Sequence, residues 1–238
     1  MAARLQGAEQ RGIQAGSRRR LFTGAPERYR SVVQRIVSGA LRGRRLLPLP
    51  NSITGVRPSS SRVRSAIFDR LQREVVGARV LDLFAGTGAL AIEALSRGAA
   101  HAILVEQQPQ LSRFLTRQLD TLGISGRARV IQADARELLG DRGGRAGGRA
   151  AGLGPGRFDL VLVDPPYEQL DLYAAVLDAL VTHEHLADDA VIVIEYQKHR
   201  GRSPQIPFPA SLHSEAVRDH GQTALEFLRH VPSQTSLP

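Results

Sequence analysis

The chain predicts an α/β fold: a mostly parallel sheet with helices on both faces and an antiparallel hairpin at the C-terminal end. Two observations carry this expectation. From residue 78 onward, short apolar runs alternate with helical stretches, the order that builds parallel strands through helical crossovers. The tail breaks that order, with two strand-like runs, 213–217 and 223–228, flanking Asp219-His220-Gly221. Composition agrees. The 238 residues are 42% hydrophobic and 23% charged, and no apolar run approaches the roughly 18 residues of a membrane span. The cysteine count is 0, which excludes disulfides, thiolate metal sites and a cysteine nucleophile.

Residues 1–30 lack hydrophobic periodicity and contain Arg18-Arg19-Arg20, so a mostly disordered basic arm is expected; an organelle transit peptide is the weaker reading. Residues 31–77 form a small extension. Around 29–47, Val33, Ile36 and Val37 suit a strand, Ser38-Gly39 a turn, and Leu41, Leu46 and Leu47 a return strand. Pro48, Pro50 and Asn51 break the chain. Ser59-Ser60-Ser61 then offers a helix cap, with Val63, Ile67 and Leu71 along one face.

Residues 78–238 form the main domain. Strands are expected at 80–84, 102–106, 130–134, 158–164 and 191–196. Helices are expected at 89–97, stopped by Gly98; at 109–122, opened by Pro109 and ended by Gly123; and at 171–180. Residues 140–156 interrupt the series. Eight of these 17 residues are Gly and three are Arg, so the segment reads as a flexible insertion with no core of its own.

Charge is distributed unevenly. Residues 1–79 hold 17 Arg against Glu9, Glu27, Asp69 and Glu74, while residues 80–238 hold 15 basic residues against 19 acids. The whole excess of +9 is therefore N-terminal. Clustered arginine is the footprint of a phosphate-backbone partner, and Arg35, Arg42, Arg44 and Arg45 are the candidate nucleic-acid contacts. The competing reading is compositional, since Lys198 is the sole lysine.

The first chemical motif is Asp82-Leu83-Phe84-Ala85-Gly86-Thr87-Gly88, where a strand turns into a helix. Glycines there let a backbone approach a ligand closely. Gly86 to Ala91 also satisfies a dinucleotide fingerprint, with Glu106 at a suitable distance for a ribose. Asp82 argues against a pyrophosphate, which a carboxylate repels, and for a cationic cofactor such as S-adenosylmethionine. Glu106 is placed to accept from ribose hydroxyls, and Asp134 from an adenine amine. The second motif is Asp164-Pro165-Pro166-Tyr167. Its prolines remove two N–H donors, leaving a cluster of acceptors suited to an exocyclic NH2, and Tyr167 offers a face for a base to stack on.

These motifs resemble those of the class I amino-methyltransferases. Arg35-Ile36-Val37-Ser38-Gly39, Arg42-Gly43-Arg44-Arg45-Leu46, Arg57-Pro58-Ser59, Arg62-Val63-Arg64 and Ile67-Phe68 narrow the resemblance to the bacterial RsmD family, over about residues 30 to 230. The resemblance implies a Rossmann-like methyltransferase fold and S-adenosylmethionine held by Asp82, Phe84, Gly86, Gly88, Glu106, Asp134 and Ala135. It implies methyl transfer to N2 of a guanine in 16S ribosomal RNA, free or in a small-subunit precursor, with Asp164, Pro165, Pro166 and Tyr167 as the catalytic set. No metal is called for, because a sulfonium is already an activated leaving group. A cytoplasmic monomer with no membrane partner is expected. The alternatives are a DNA amino-methyltransferase, which shares the D-P-P-Y pattern, an NAD-dependent oxidoreductase, and a non-catalytic RNA-binding assembly factor.

Overall fold

The structure is a computed structural model that describes residues 33–54, 56, 59–140, 152–166 and 169–232. The expected basic arm, residues 141–151 and Tyr167 lie outside the described residues. Among the described residues, seven strands form one sheet: β1 (Arg79–Asp82), β2 (His101–Glu106), β3 (Ala128–Gln132), β4 (Phe158–Val163), β5 (Leu186–Gln197), β6 (Leu212–His220) and β7 (Thr223–His230). Their order is β3-β2-β1-β4-β5-β7-β6. The first five run parallel. Strand β7 returns antiparallel between β5 and β6, which leaves β6 at the edge.

Five α-helices among the described residues accompany the sheet: α1 (Ser61–Arg70), α2 (Ala89–Ser96), α3 (Pro109–Leu122), α4 (Ala135–Gly140) and α5 (Leu170–Thr182). Strand residues alternate between the two faces. Val80 and Leu104 pack with α1, α2 and α3, whereas Leu81 and Val105 pack with α4 and α5. Covering both faces explains why the central strands read as continuous apolar runs. The Ser60 side chain caps α1 by accepting from the Val63 N–H. Gly123 ends α3 in the left-handed conformation.

Two expectations need correction. Strand β5 starts at Leu186, ahead of the expected 191, because a bulge with Asp189 at φ 60° admits two acids that strands ordinarily avoid. The insertion is not coreless to its end. Leu153 is buried in the cluster under α4 and α5. The Arg79 guanidinium holds it by donating to the Leu153 and Pro155 carbonyls while lying over the Phe158 ring. Replacing 141–151 with a short linker should therefore leave the denaturation midpoint unchanged, whereas Leu153→Ala should cost about 2–5 kcal/mol. Equal chemical-denaturation midpoints for both variants would contradict this.

The extension docks on the main domain. Arg35 and Arg45 form an isolated β-bridge, and Ile36 and Leu46 beneath it are buried. The following chain runs along α3. The Leu47 N–H donates to Gln118 Oε1 at 2.7 Å, and Ile53 packs on Leu111 and Phe114. Val56 lies beside Gly86. This path carries the extension from the far end of α3 to the carboxyl ends of the strands.

Candidate active site

Strands β2 and β3 lie to one side of β1, and β4 and β5 to the other. This reversal opens a crevice at the carboxyl ends of β1 and β4, where ligands bind in open α/β sheets. The pairing of Asp82 with Leu162 puts the glycine turn after β1 next to Asp164-Pro165-Pro166 after β4.

The two glycines of the turn do different things. Gly86 has φ +54°, and a Cβ there would meet only Val56 Cγ1 at 3.8 Å and the Phe84 carbonyl at 3.9 Å. Its left-handed φ favours glycine, and its backbone stays bare of a side chain. Gly88 has φ +76°, and a Cβ there would meet Leu115 Cδ2 at 2.7 Å. It serves the packing of α2 against α3.

Glu106 secures the turn. Its Oε2 accepts from the Gly86 N–H at 3.1 Å and its Oε1 from the Gln108 N–H at 2.8 Å. A carboxylate has about four lone-pair sites, so each oxygen keeps acceptor capacity. Burial raises its pKa, against the pull of these N–H groups.

Asp82 sits deeper than expected. It is 1% exposed, and neither oxygen completes a hydrogen bond among the described residues. Burial pushes its pKa up to about 7, opposed by the nearby Ala91 and Phe84 N–H groups and reinforced by Glu106. The carboxylate lies behind the turn, at the first turn of α2, and does not line the open crevice. Phe84 is partly buried against the cluster on the opposite face.

Asp134 does not end a strand; β3 stops at Gln132. Instead its Oδ1 accepts from the Arg136 N–H at 2.8 Å, which caps α4, a helix the sequence reading missed. The Arg136 guanidinium pairs with it at 3.1 Å and holds its pKa below the usual range. Ala135 is buried beside it. After β4, Asp164 is half-buried, Pro165 buried and Pro166 exposed.

Arg35, Arg42, Arg44 and Arg45 are all exposed on the extension. Arg35 donates to the Gly43 carbonyl. Arg44 is partly committed, because it donates to the Leu122 and Thr121 carbonyls at 2.8 and 3.0 Å and so caps the negative end of α3. Sequence reasoning missed Gln118. Buried at 1% exposure, it joins the Leu47 N–H to the Thr87 carbonyl, the latter at 2.6 Å, and so links the extension to the glycine turn. Its signal was a polar residue on the apolar face of α3.

A family model described as Conserved hypothetical protein 95 matches residues 34–229. The chain is 39% identical over 190 residues to ribosomal RNA small subunit methyltransferase D of Escherichia coli K12, covering 80% of this chain and 86% of that one. The chain belongs to the RsmD family. The protein of that name from Haemophilus influenzae is 32% identical over 167 residues, covering 70% of this chain and 80% of that one. The solved structure of Escherichia coli yhhF superposes with a TM-score of 0.70 at 34% identity, covering 84% of this chain and 99% of that one. As a member of this family, the chain has the Rossmann-like methyltransferase fold, for which the resemblance implies S-adenosylmethionine as cofactor. The site fits that cofactor. Gly86 leaves backbone open to it, Glu106 keeps acceptor capacity, and the unbonded Asp82 carboxylate supplies negative charge behind the turn.

Proposed function

We propose that the chain methylates the exocyclic N2 of a guanine in 16S ribosomal RNA, free or in a small-subunit precursor, as a cytoplasmic monomer. The observation that carries this reading is the juxtaposition, through the β1–β4 register, of the glycine turn with Asp164-Pro165-Pro166. Among the described residues, no helix is long and apolar enough to cross a membrane.

S-adenosylmethionine, when bound, supplies a methyl group on a sulfonium. The rest is the work of the chain. Glu106 is assigned to the ribose hydroxyls, Gly86 with Phe84 to the backbone facing the cofactor, and Asp134 with Ala135 to the adenine. Asp82 acts through the turn, as a carboxyl behind it that attracts the cationic cofactor when ionised. Asp164 and the Pro165 carbonyl accept from the amine hydrogens of the guanine, holding its nitrogen in the attacking geometry and drawing on the proton it must lose. Pro166 keeps an N–H donor out of this cluster, and Tyr167 is assigned to stack on the base. Arg35, Arg42 and Arg45 hold phosphates. Labelled methyl transfer to 16S ribosomal RNA, followed by mass mapping of the product, tests the reading. Transfer to DNA alone, or NAD binding in place of S-adenosylmethionine, would replace it.

Asp82 also sets a pH dependence. Its carboxyl binds a proton more tightly folded (about 7) than unfolded (3.8). At this site the native state therefore holds more protons between about pH 4 and 7, so the Asp82 contribution to cofactor-free stability falls as pH rises through that window and levels off above it. Cofactor affinity runs the other way, because only the ionised carboxylate attracts a cation. Calorimetric titration should show tighter S-adenosylmethionine binding at about pH 7.5 than at about pH 5.5, with most of that difference lost in Asp82→Asn. An unchanged pH dependence in the variant would remove Asp82 as its source.

A further inference from the structure

The outward face of α3 is cationic and unpartnered. Arg113 and Arg117, one turn apart, are both exposed, and neither guanidinium makes a hydrogen bond or ion pair among the described residues. By contrast Arg70, Arg97, Arg136 and Arg229 are each held by a carboxylate. The acid of this helix, Asp120, accepts from the Ser125 hydroxyl. One turn beyond Arg117, at Thr121 and Leu122, the Arg44 guanidinium docks from the extension. Three guanidiniums thus follow one row along the helix. That row starts near the crevice, since α3 opens three residues after Glu106.

Arg113 and Arg117 also line a groove of about 390 Å³, with Pro50, Ser52 and Ile53 across from them and Phe114 between. The chain that forms the groove continues to Val56, beside Gly86. The groove therefore leads to the crevice.

We propose that this groove carries the sugar–phosphate backbone of the RNA strand flanking the target nucleotide, with Arg113 and Arg117 as its phosphate contacts. The proposal rests on the reading of the chain as an RNA methyltransferase. A base must leave its stack to reach Asp164, so the adjoining backbone must run over the protein surface as a single strand. A guanidinium presents a planar fork of donors that matches phosphate oxygens, and two unpaired ones bind phosphate without first breaking an ion pair.

The test uses the full chain with Arg113→Gln and Arg117→Gln together, binding a 16S ribosomal RNA fragment across a salt series. Each phosphate contact on a single strand contributes about 0.7 to the slope of log affinity against log salt, so the double variant should be shallower by about 1.4. The double Lys variant keeps the charge and should keep the slope. S-adenosylmethionine affinity and thermal midpoint should match the wild type, because both side chains are exposed and unpaired. A slope equal to the wild type, in an active wild-type background, would overturn the groove alone; so would an effect confined to binding an acidic protein. A wild type that transfers no methyl to 16S ribosomal RNA would overturn the functional reading and the groove with it.

Discussion

Asp164→Ala should lower kcat for methyl transfer to RNA by about 10²- to 10⁴-fold, while S-adenosylmethionine affinity changes little. In barrier terms this is about 3–5 kcal/mol. The size follows from the nucleophile. The lone pair of guanine N2 is delocalised into the ring, so the nitrogen attacks only when its hydrogens are held and partly withdrawn. Asp164 offers the charged acceptor for this, just past β4 and one strand away from the glycine turn. Asp164→Asn keeps a carbonyl acceptor but loses the charge, and should fall between the wild type and the Ala variant. Single-turnover assays at saturating cofactor separate this chemical effect from binding. A kcat for Asp164→Ala within a few-fold of wild type, in a folded protein that binds cofactor, would remove Asp164 from the reaction.

The parts of this fold that repeat a simple period were legible in the sequence. Strands buried on both faces are unbroken apolar runs, and α3 announces itself with Pro109 at its start and Gly123 at its end. The crevice was legible for a related reason, since glycines and acids at strand ends are exceptions to those runs. What stayed hidden depends on contacts between distant segments. Helix α4 is six residues long, too short for a period, and its cap Asp134 looked like the end of a strand. Leu153 was hidden by the glycines around it, because its burial depends on the cluster under α4 and α5 and on the guanidinium of Arg79, 74 residues away in sequence, which holds its backbone carbonyl. Asp82 was read correctly as an acid at the end of β1, but its depth behind the turn is set by the packing of α2, which no local pattern records. The docking of the extension was the least legible of all, because it hinges on one acid within an apolar helix.

That acid is Glu93, and Glu93→Ala should cost about 3–5 kcal/mol of stability, the range for breaking a buried ion pair by removing one partner. Its carboxylate is 0% exposed. Oε2 accepts from the Val37 N–H at 2.8 Å, Oε1 from the Ser38 N–H at 2.9 Å, and the Arg97 Nε lies 2.9 Å from Oε1. Arg64, itself 2% exposed, brings its Nε to 4.0 Å. Burial lowers the pKa of Arg64 and the charge of Glu93 opposes that shift. Without Glu93, the buried Arg64 keeps, among the described residues, only the Ser59 and Arg35 carbonyls. Two backbone N–H groups lose their acceptor at the same time. Against a total stability of about 5–15 kcal/mol, this is a large fraction. The loss should also be local first, because the two N–H groups belong to the extension. Trypsin should cleave at Arg42, Arg44 and Arg45 much faster in the variant, before the main domain unfolds. Glu93→Gln retains an amide oxygen for one N–H and should lose less. If chemical denaturation shows a loss below about 1 kcal/mol for Glu93→Ala, the size of a surface pair, then the extension is held by Ile36 and Leu46 rather than by this buried charge.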